Sequence, residues 1–204
     1  MVTKIKEKII VEGDEDKSHL GLVHVLTGDG KGKTTSSIGL AVRALGGNLK
    51  VYMIQFLKSV PTGEFHTIKR HLPGMDIIQF GVDAVKERQQ KLNVFRDKGS
   101  KFVFNPDDEE KEAAMLGFQH AKKIISSEIY DVVILDEINV VLNKGFIPIK
   151  DVIDLIENHG NVELVFTGRD APEELIERAD YVSYIKNIKH PWQKGIKARK
   201  GIEY

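Results

Sequence analysis

A doubly wound, mostly parallel α/β sheet is the fold class this sequence predicts, and three observations predict it. Short apolar runs of strand length alternate with longer segments whose apolar residues recur at helical spacing. The first run, Leu22-Val23-His24-Val25-Leu26, passes through a glycine-rich turn straight into a helical segment. A later run, Tyr130-Asp131-Val132-Val133-Ile134-Leu135, ends in two adjacent carboxylates, Asp136 and Glu137. Open α/β sheets place their ligands beyond that end of their strands.

Taken in order, residues 1–20 read as a mobile or peripheral arm, charged throughout Glu12-Gly13-Asp14-Glu15-Asp16-Lys17, and residues 21–204 as a single domain. Strands are expected at 22–26, 50–56, 76–80, 131–135, 163–167 and 181–185. Several are near-continuous in Val, Ile and Leu, as parallel strands covered on both faces are. Helices are expected at 33–45, 63–70, 83–97, 107–127, 149–158 and 172–178. Pro148 and Pro172 sit where a first helical turn tolerates proline, and Gly160 stands where a helix stops. Asn105-Pro106-Asp107-Asp108 reads as a turn feeding a helix start.

Composition narrows the function classes. The 204 residues carry 30 Lys+Arg against 30 Asp+Glu, so no charge excess points to nucleic acid. There is no cysteine, which excludes disulfides, thiolate metal sites and cysteine nucleophiles. No run approaches the ~20 apolar residues that span a bilayer. The N-terminus Met1-Val2-Thr3-Lys4-Ile5-Lys6-Glu7-Lys8 has no signal-peptide pattern, so the cytoplasm is expected, with no membrane partner.

The turn itself, Thr27-Gly28-Asp29-Gly30-Lys31-Gly32-Lys33-Thr34-Thr35, is the most informative segment. Glycines let several backbone N–H groups face one phosphate chain, and the following helix adds its positive end. In such a P-loop, Lys33 would reach the β/γ-phosphates and the Thr34 hydroxyl would take a place on Mg²⁺. The usual spacing wants glycine at position 27, where this chain has Thr27, so the loop is a variant; a plain glycine-rich turn is the competing reading. Asp136 and Glu137 would emerge beside this loop and could hold Mg²⁺, directly or through water. A solvated acidic pair at a helix start is the alternative. Together the signals predict a RecA-like nucleotide-binding sheet.

The loop with its shifted glycine resembles that of the cobA-type ATP:corrinoid adenosyltransferases, which act on cob(I)yrinic acid a,c-diamide. The resemblance continues through Val51-Tyr52-Met53-Ile54-Gln55-Phe56-Leu57-Lys58, Leu135-Asp136-Glu137 and Phe166-Thr167-Gly168-Arg169. It closes with Lys189-His190-Pro191-Trp192 and the run from Gly195 to Tyr204. The family likeness implies MgATP-dependent transfer of a 5′-deoxyadenosyl group to the Co(I) centre of a reduced corrinoid, with release of triphosphate. It implies nucleotide contacts by Gly28–Thr35 and Arg169, and catalytic parts for Lys33, Thr34 and Asp136. It also implies a homodimer, the arm covering the neighbour's site, and an electron donor of flavodoxin type. The absence of a recognisable nucleophile–base pair agrees, since Co(I) is itself the nucleophile.

Gly99-Ser100-Lys101-Phe102-Val103-Phe104 matches the family segment whose two aromatics pack beneath the corrin, with Phe104 standing where tryptophan is usual and Ser59 where glycine is usual. Phe102 and Phe104 read equally as alternate residues on the core face of a strand. Arg169 reads also as a solvated helix-start residue, and His190 and Trp192 as packing of a C-terminal loop. The remaining histidines show no metal-ligand spacing. A P-loop ATPase or small-molecule kinase, and a non-catalytic nucleotide-binding switch, are the competing functions.

Overall fold

The computed structural model describes residues 17–81 and 106–203, with the backbone alone for Pro106 and Asp107. Six strands form one sheet: β1 Val23–Thr27, β2 Val51–Phe56, β3 Met75–Phe80, β4 Val132–Asp136, β5 Glu163–Thr167 and β6 Tyr181–Tyr184. Their order is β3-β2-β4-β5-β1-β6, and every pairing is parallel. The helices are α1 Lys33–Gly46, α2 Gly63–His71, α3 Pro106–Ser126, α4 Ile138–Asn143, α5 Ile149–Glu157 and α6 Glu173–Ile176. The helix expected at 83–97 and the Phe102–Phe104 segment lie outside the described residues, as does most of the expected arm.

The period-2 geometry of a strand splits each apolar run between two cores. Val51 and Met53 of β2, with Val132 and Ile134 of β4, join Ala41 and Ala44 of α1 and Ile68 of α2. Their alternates, Ile54, Phe56, Val133 and Leu135, pack on the opposite face with Phe118 of α3, Val141 of α4 and Val152 of α5. Helices therefore cover both faces, which is why the central strands carry no solvated alternation. Each fully enclosed Leu, Ile or Phe contributes about 1.5–3 kcal/mol of hydrophobic stabilisation.

Two elements differ from the sequence expectation. The helix expected at 172–178 is the single turn α6, and Pro172 is the extended residue preceding it. An additional helix, α4, follows the acidic pair; at six residues it is too short for helical periodicity to register. The topology places the carboxyl ends of β1, β2, β4, β5 and β6 along one rim, with one strand between β1 and β4.

Candidate functional site

At that rim the glycine-rich segment runs from the end of β1 to the start of α1. Thr27 is buried, and its hydroxyl accepts the Ala171 N–H at 3.1 Å. Gly28 turns with φ 101°, and a Cβ there would run into the Ile185 carbonyl oxygen. At Gly30 a Cβ would lie 2.8 Å from the same oxygen. The crowding comes from the chain after β6, which is stapled to the loop. Gly30 N–H donates to Ile185 O and Ile185 N–H to Thr27 O, each at 2.8 Å, and Asn187 N–H donates to Asp29 Oδ1 at 3.0 Å. A glycine displaced by one position is thus what this neighbour requires, while Thr27 uses its side chain to hold the segment before α6.

Lys33, 8% exposed, folds its Nζ back to donate to Gly28 O and Gly30 O, both at 2.7 Å. The ammonium braces its own loop and retains one of its three donors. Burial lowers the Lys33 pKa, and the Glu137 carboxylate opposes that shift.

Asp136, wholly buried at the end of β4, is the centre of a polar cluster. Its Oδ1 accepts the Thr34 hydroxyl at 2.7 Å and the Thr167 hydroxyl at 2.6 Å. Its Oδ2 accepts Gln55 Nε2 at 3.1 Å and Lys58 Nζ at 2.9 Å. Lys58 also approaches Glu64 at 3.4 Å, and Gln79 Nε2 donates to Gln55 Oε1 at 2.9 Å. Burial opposes the Lys58 charge, but the Asp136 and Glu64 carboxylates outweigh it and raise the pKa. Leu57, in the left-handed region at φ 59°, makes the turn between β2 and Lys58.

The two carboxylates of the acidic pair have different surroundings. Asp136 is saturated with four donors and communicates with the loop through Thr34. Glu137, half-buried at φ 67°, lines the cavity over the loop, and its N–H donates to Thr167 Oγ1 at 3.1 Å. Among the described residues its carboxylate accepts no hydrogen bond. Burial, then the Asp136 charge, raises its pKa despite Lys58, Lys33 and Arg169 nearby.

The cavity over the loop, about 320 Å³, is lined by Asp29 to Thr35 with Glu137 and Arg169, and by His190, Ile202 and Glu203 from the C-terminal segment. A second cavity of about 490 Å³ adjoins it, walled by Pro191, Trp192, Ile196 and Ala198. The structure thus brings together Asp29 to Thr35, Glu137 and Arg169, with Asp136 behind them; Phe102 and Phe104 lie outside the described residues. Sequence reasoning did not single out Gln55, Lys58, Glu64, Thr167 and Glu203 as site residues. Gln55 had a signal: a polar residue inside a continuous apolar strand needs a buried partner.

Among the described residues no helix is long and apolar enough to cross a membrane, and no cluster of three or more His, Asp or Glu could hold a metal unaided. Residues 19–204 match the family described as ATP:corrinoid adenosyltransferase BtuR/CobO/CobP. A corrinoid adenosyltransferase of Escherichia coli is 29% identical over 98% of this chain and 94% of its own length. One from a Sinorhizobium species is 33% identical over 98% of this chain and 86% of its own. For a Pseudomonas aeruginosa relative of the same description the values are 30%, 98% and 90%.

Proposed function

The chain belongs to the ATP:corrinoid adenosyltransferase family of enzymes, and on that premise we propose that it carries the 5′-deoxyadenosyl group of MgATP to the Co(I) centre of a reduced corrinoid and releases triphosphate. One observation carries the site assignment: a cavity lined by the glycine-rich loop, with Lys31, Lys33 and Arg169 as cations, and the oxygen donors Thr34 and Glu137 beside them. It has the chemistry of a polyphosphate seat.

In the transfer, the Co(I) substrate attacks the ribose 5′-carbon; a Co–C bond forms as the C5′–O bond breaks, and the electron pair leaves on triphosphate. The chain's work is orientation and charge stabilisation rather than acid–base chemistry. Loop N–H groups and the remaining Lys33 donor hold the phosphates, and Arg169 offsets charge that grows on the leaving group. The donor set fits Mg²⁺, a hard cation that accepts few protein oxygens and keeps water and phosphate for the rest. Thr34 and Glu137 would hold it, with Asp136 fixing the Thr34 hydroxyl; bound there, Mg²⁺ would neutralise the triphosphate. Phe102 and Phe104 are assigned to the corrin face on family likeness. The exposed edge strand β6, with Tyr181, Val182 and Tyr184, supports a homodimer. A cytoplasmic setting and a flavodoxin-type electron donor complete the reading.

Incubation with ATP and a chemically reduced corrinoid tests it. Triphosphate and a light-sensitive Co–C product are expected. ADP with a phosphorylated acceptor would instead mean a kinase, ADP with phosphate an ATPase, and unconsumed bound ATP a switch.

A further inference from the structure

Around Arg169 the chain after β5 is gripped from several directions. The Thr167 hydroxyl donates to Asp136 and accepts the Glu137 N–H, Gly168 N–H donates to Leu26 O at 3.2 Å, and Ala171 N–H donates to the Thr27 hydroxyl. Two further bonds come from α4. Asn139 and Asn143 stand four residues apart on it, so their side chains share one helix face. Asn139 Nδ2 donates to Gly168 O at 3.1 Å, and Asn143 Nδ2 donates to Asp170 O. Those two carbonyls flank Arg169, which is exposed and lines both cavities.

The backbone here needs such support. Gly168 has φ 135° and Asp170 φ 51°, so Arg169 sits between two positive-φ residues, one of them not glycine. A Cβ at Gly168 would lie 2.9 Å from Asn139 Cβ, so the start of α4 packs directly on the turn. Asn139 is wholly buried, and its Oδ1 has no hydrogen-bond partner among the described residues. A half-satisfied buried amide is a poor choice for stability alone, because its bare acceptor has been stripped of water. What the amide supplies is the donor on the Gly168 carbonyl. Glu137 immediately precedes α4, so one short helix sets both the Glu137 carboxylate and the Arg169 cation over the loop.

We propose that Asn139 and Asn143 are positioning residues for Arg169: by holding the carbonyls on either side of it, they fix the direction in which its side chain leaves the backbone toward the phosphate chain. That role rests on Arg169 meeting the polyphosphate of the proposed reaction. The gain is preorganisation, since an arginine on a fixed backbone loses less freedom when the ligand arrives. Asn139, whose bond is buried, carries more of it than Asn143, whose bond is exposed to water.

A double-mutant cycle on the binding of inorganic triphosphate, followed by calorimetry, tests it. Arg169→Ala should weaken binding about ten- to a hundredfold. Asn139→Ala should weaken it about three- to thirtyfold, and Asn143→Ala less. In the Arg169→Ala background both asparagine substitutions should change the affinity by less than about twofold, because their effect passes through the arginine. Val152→Ala, at a core position of α5, should lower the denaturation midpoint and leave triphosphate binding unchanged. If Asn139→Ala fails to fold, the cycle is read on the exposed Asn143 and Arg169. Asparagine effects that persist without Arg169 would overturn the assignment and make these contacts general supports of the fold. Asparagine variants that bind triphosphate like the wild type would overturn it too. Either result leaves the phosphate seat standing as long as Arg169→Ala weakens binding. An Arg169→Ala variant with wild-type affinity would overturn the place of Arg169 in that seat and this inference with it.

Discussion

The Thr34 hydroxyl donates to Asp136 Oδ1 across 2.7 Å, joining the first turn of α1 to the end of β4 over 102 residues of chain. Through that contact the loop and the acidic pair become one unit. A hydroxyl whose proton is committed to a buried carboxylate keeps its oxygen lone pairs available, which the proposed Mg²⁺ contact would require. The same carboxylate is held by Lys58 and Gln55 from β2 and its following turn and by Thr167 from β5, so three strands and a helix set the position of one hydroxyl.

Lys33 combines a structural and a binding part. Lys33→Ala removes two bonds to loop carbonyls and, in the proposed reaction, the charge that would face the phosphates. ATP affinity should fall by about 1.5–3 kcal/mol, the range for a charge-assisted contact, and transfer should nearly cease. Calorimetry and product formation check this; wild-type turnover would remove the loop from the nucleotide site.

Lys58→Met leaves Asp136 buried without its cationic partner. Breaking a buried pair costs about 3–5 kcal/mol of folding stability, and the lower end is expected because Lys58 keeps some water contact. Chemical denaturation measures it, and Lys58→Arg should recover part of the loss.

Two carboxylates should give opposite pH dependence. Glu137 has a pKa raised above its ordinary 4.5 by burial, so the folded state holds its proton more tightly. Its unfavourable contribution grows as pH rises from 4.5 through the raised value. Glu137→Gln should therefore stabilise the fold at neutral pH and flatten that interval. Glu163 differs: burial would raise its pKa, but the hydrogen bonds from His24 and from the Leu22 and Gly21 N–H groups lower it below 4.5. Its stabilisation is present above 4.5 and lost as pH falls through the lowered value. Denaturation midpoints from pH 3 to 8 for each Gln variant check both signs.

Phe104→Ala should reduce activity most with a corrinoid that still carries its lower axial ligand, by about ten- to a hundredfold for one lost aromatic face. ATP binding should change little. A large drop in Tm with proportionate loss of every activity would mean that Phe104 is core, for which truncation costs about 3–5 kcal/mol.

The alternation of apolar runs, the glycine-rich turn and the carboxylates after Leu135 are local patterns, and local patterns survive in a one-dimensional reading. Strand positions, the loop and the family likeness were therefore legible without coordinates. Strand order was not, because the runs at β2, β4 and β5 are equally apolar and any of them could neighbour β1. Nor was the division of labour between Asp136 and Glu137. Adjacent in sequence, they part because Glu137 takes a left-handed backbone at the rim while Asp136 points into a cage built by residues from β2, α1 and β5.

By itself the sequence determined the α/β class, the first βα unit and the membership in a family, since each follows from residue spacing within short windows or from an ordered set of motifs. Only the tertiary structure decided that position 28 must be glycine, because the Ile185 carbonyl oxygen crowds it, while Thr27 bonds the Ala171 N–H. It alone decided that Lys58 closes the Asp136 cluster and that Glu203 returns from the chain's far end to the loop. The physical reason is the same in each case: these are contacts between segments far apart in the chain, set by how the sheet packs, and no local propensity encodes which distant group will satisfy a buried charge.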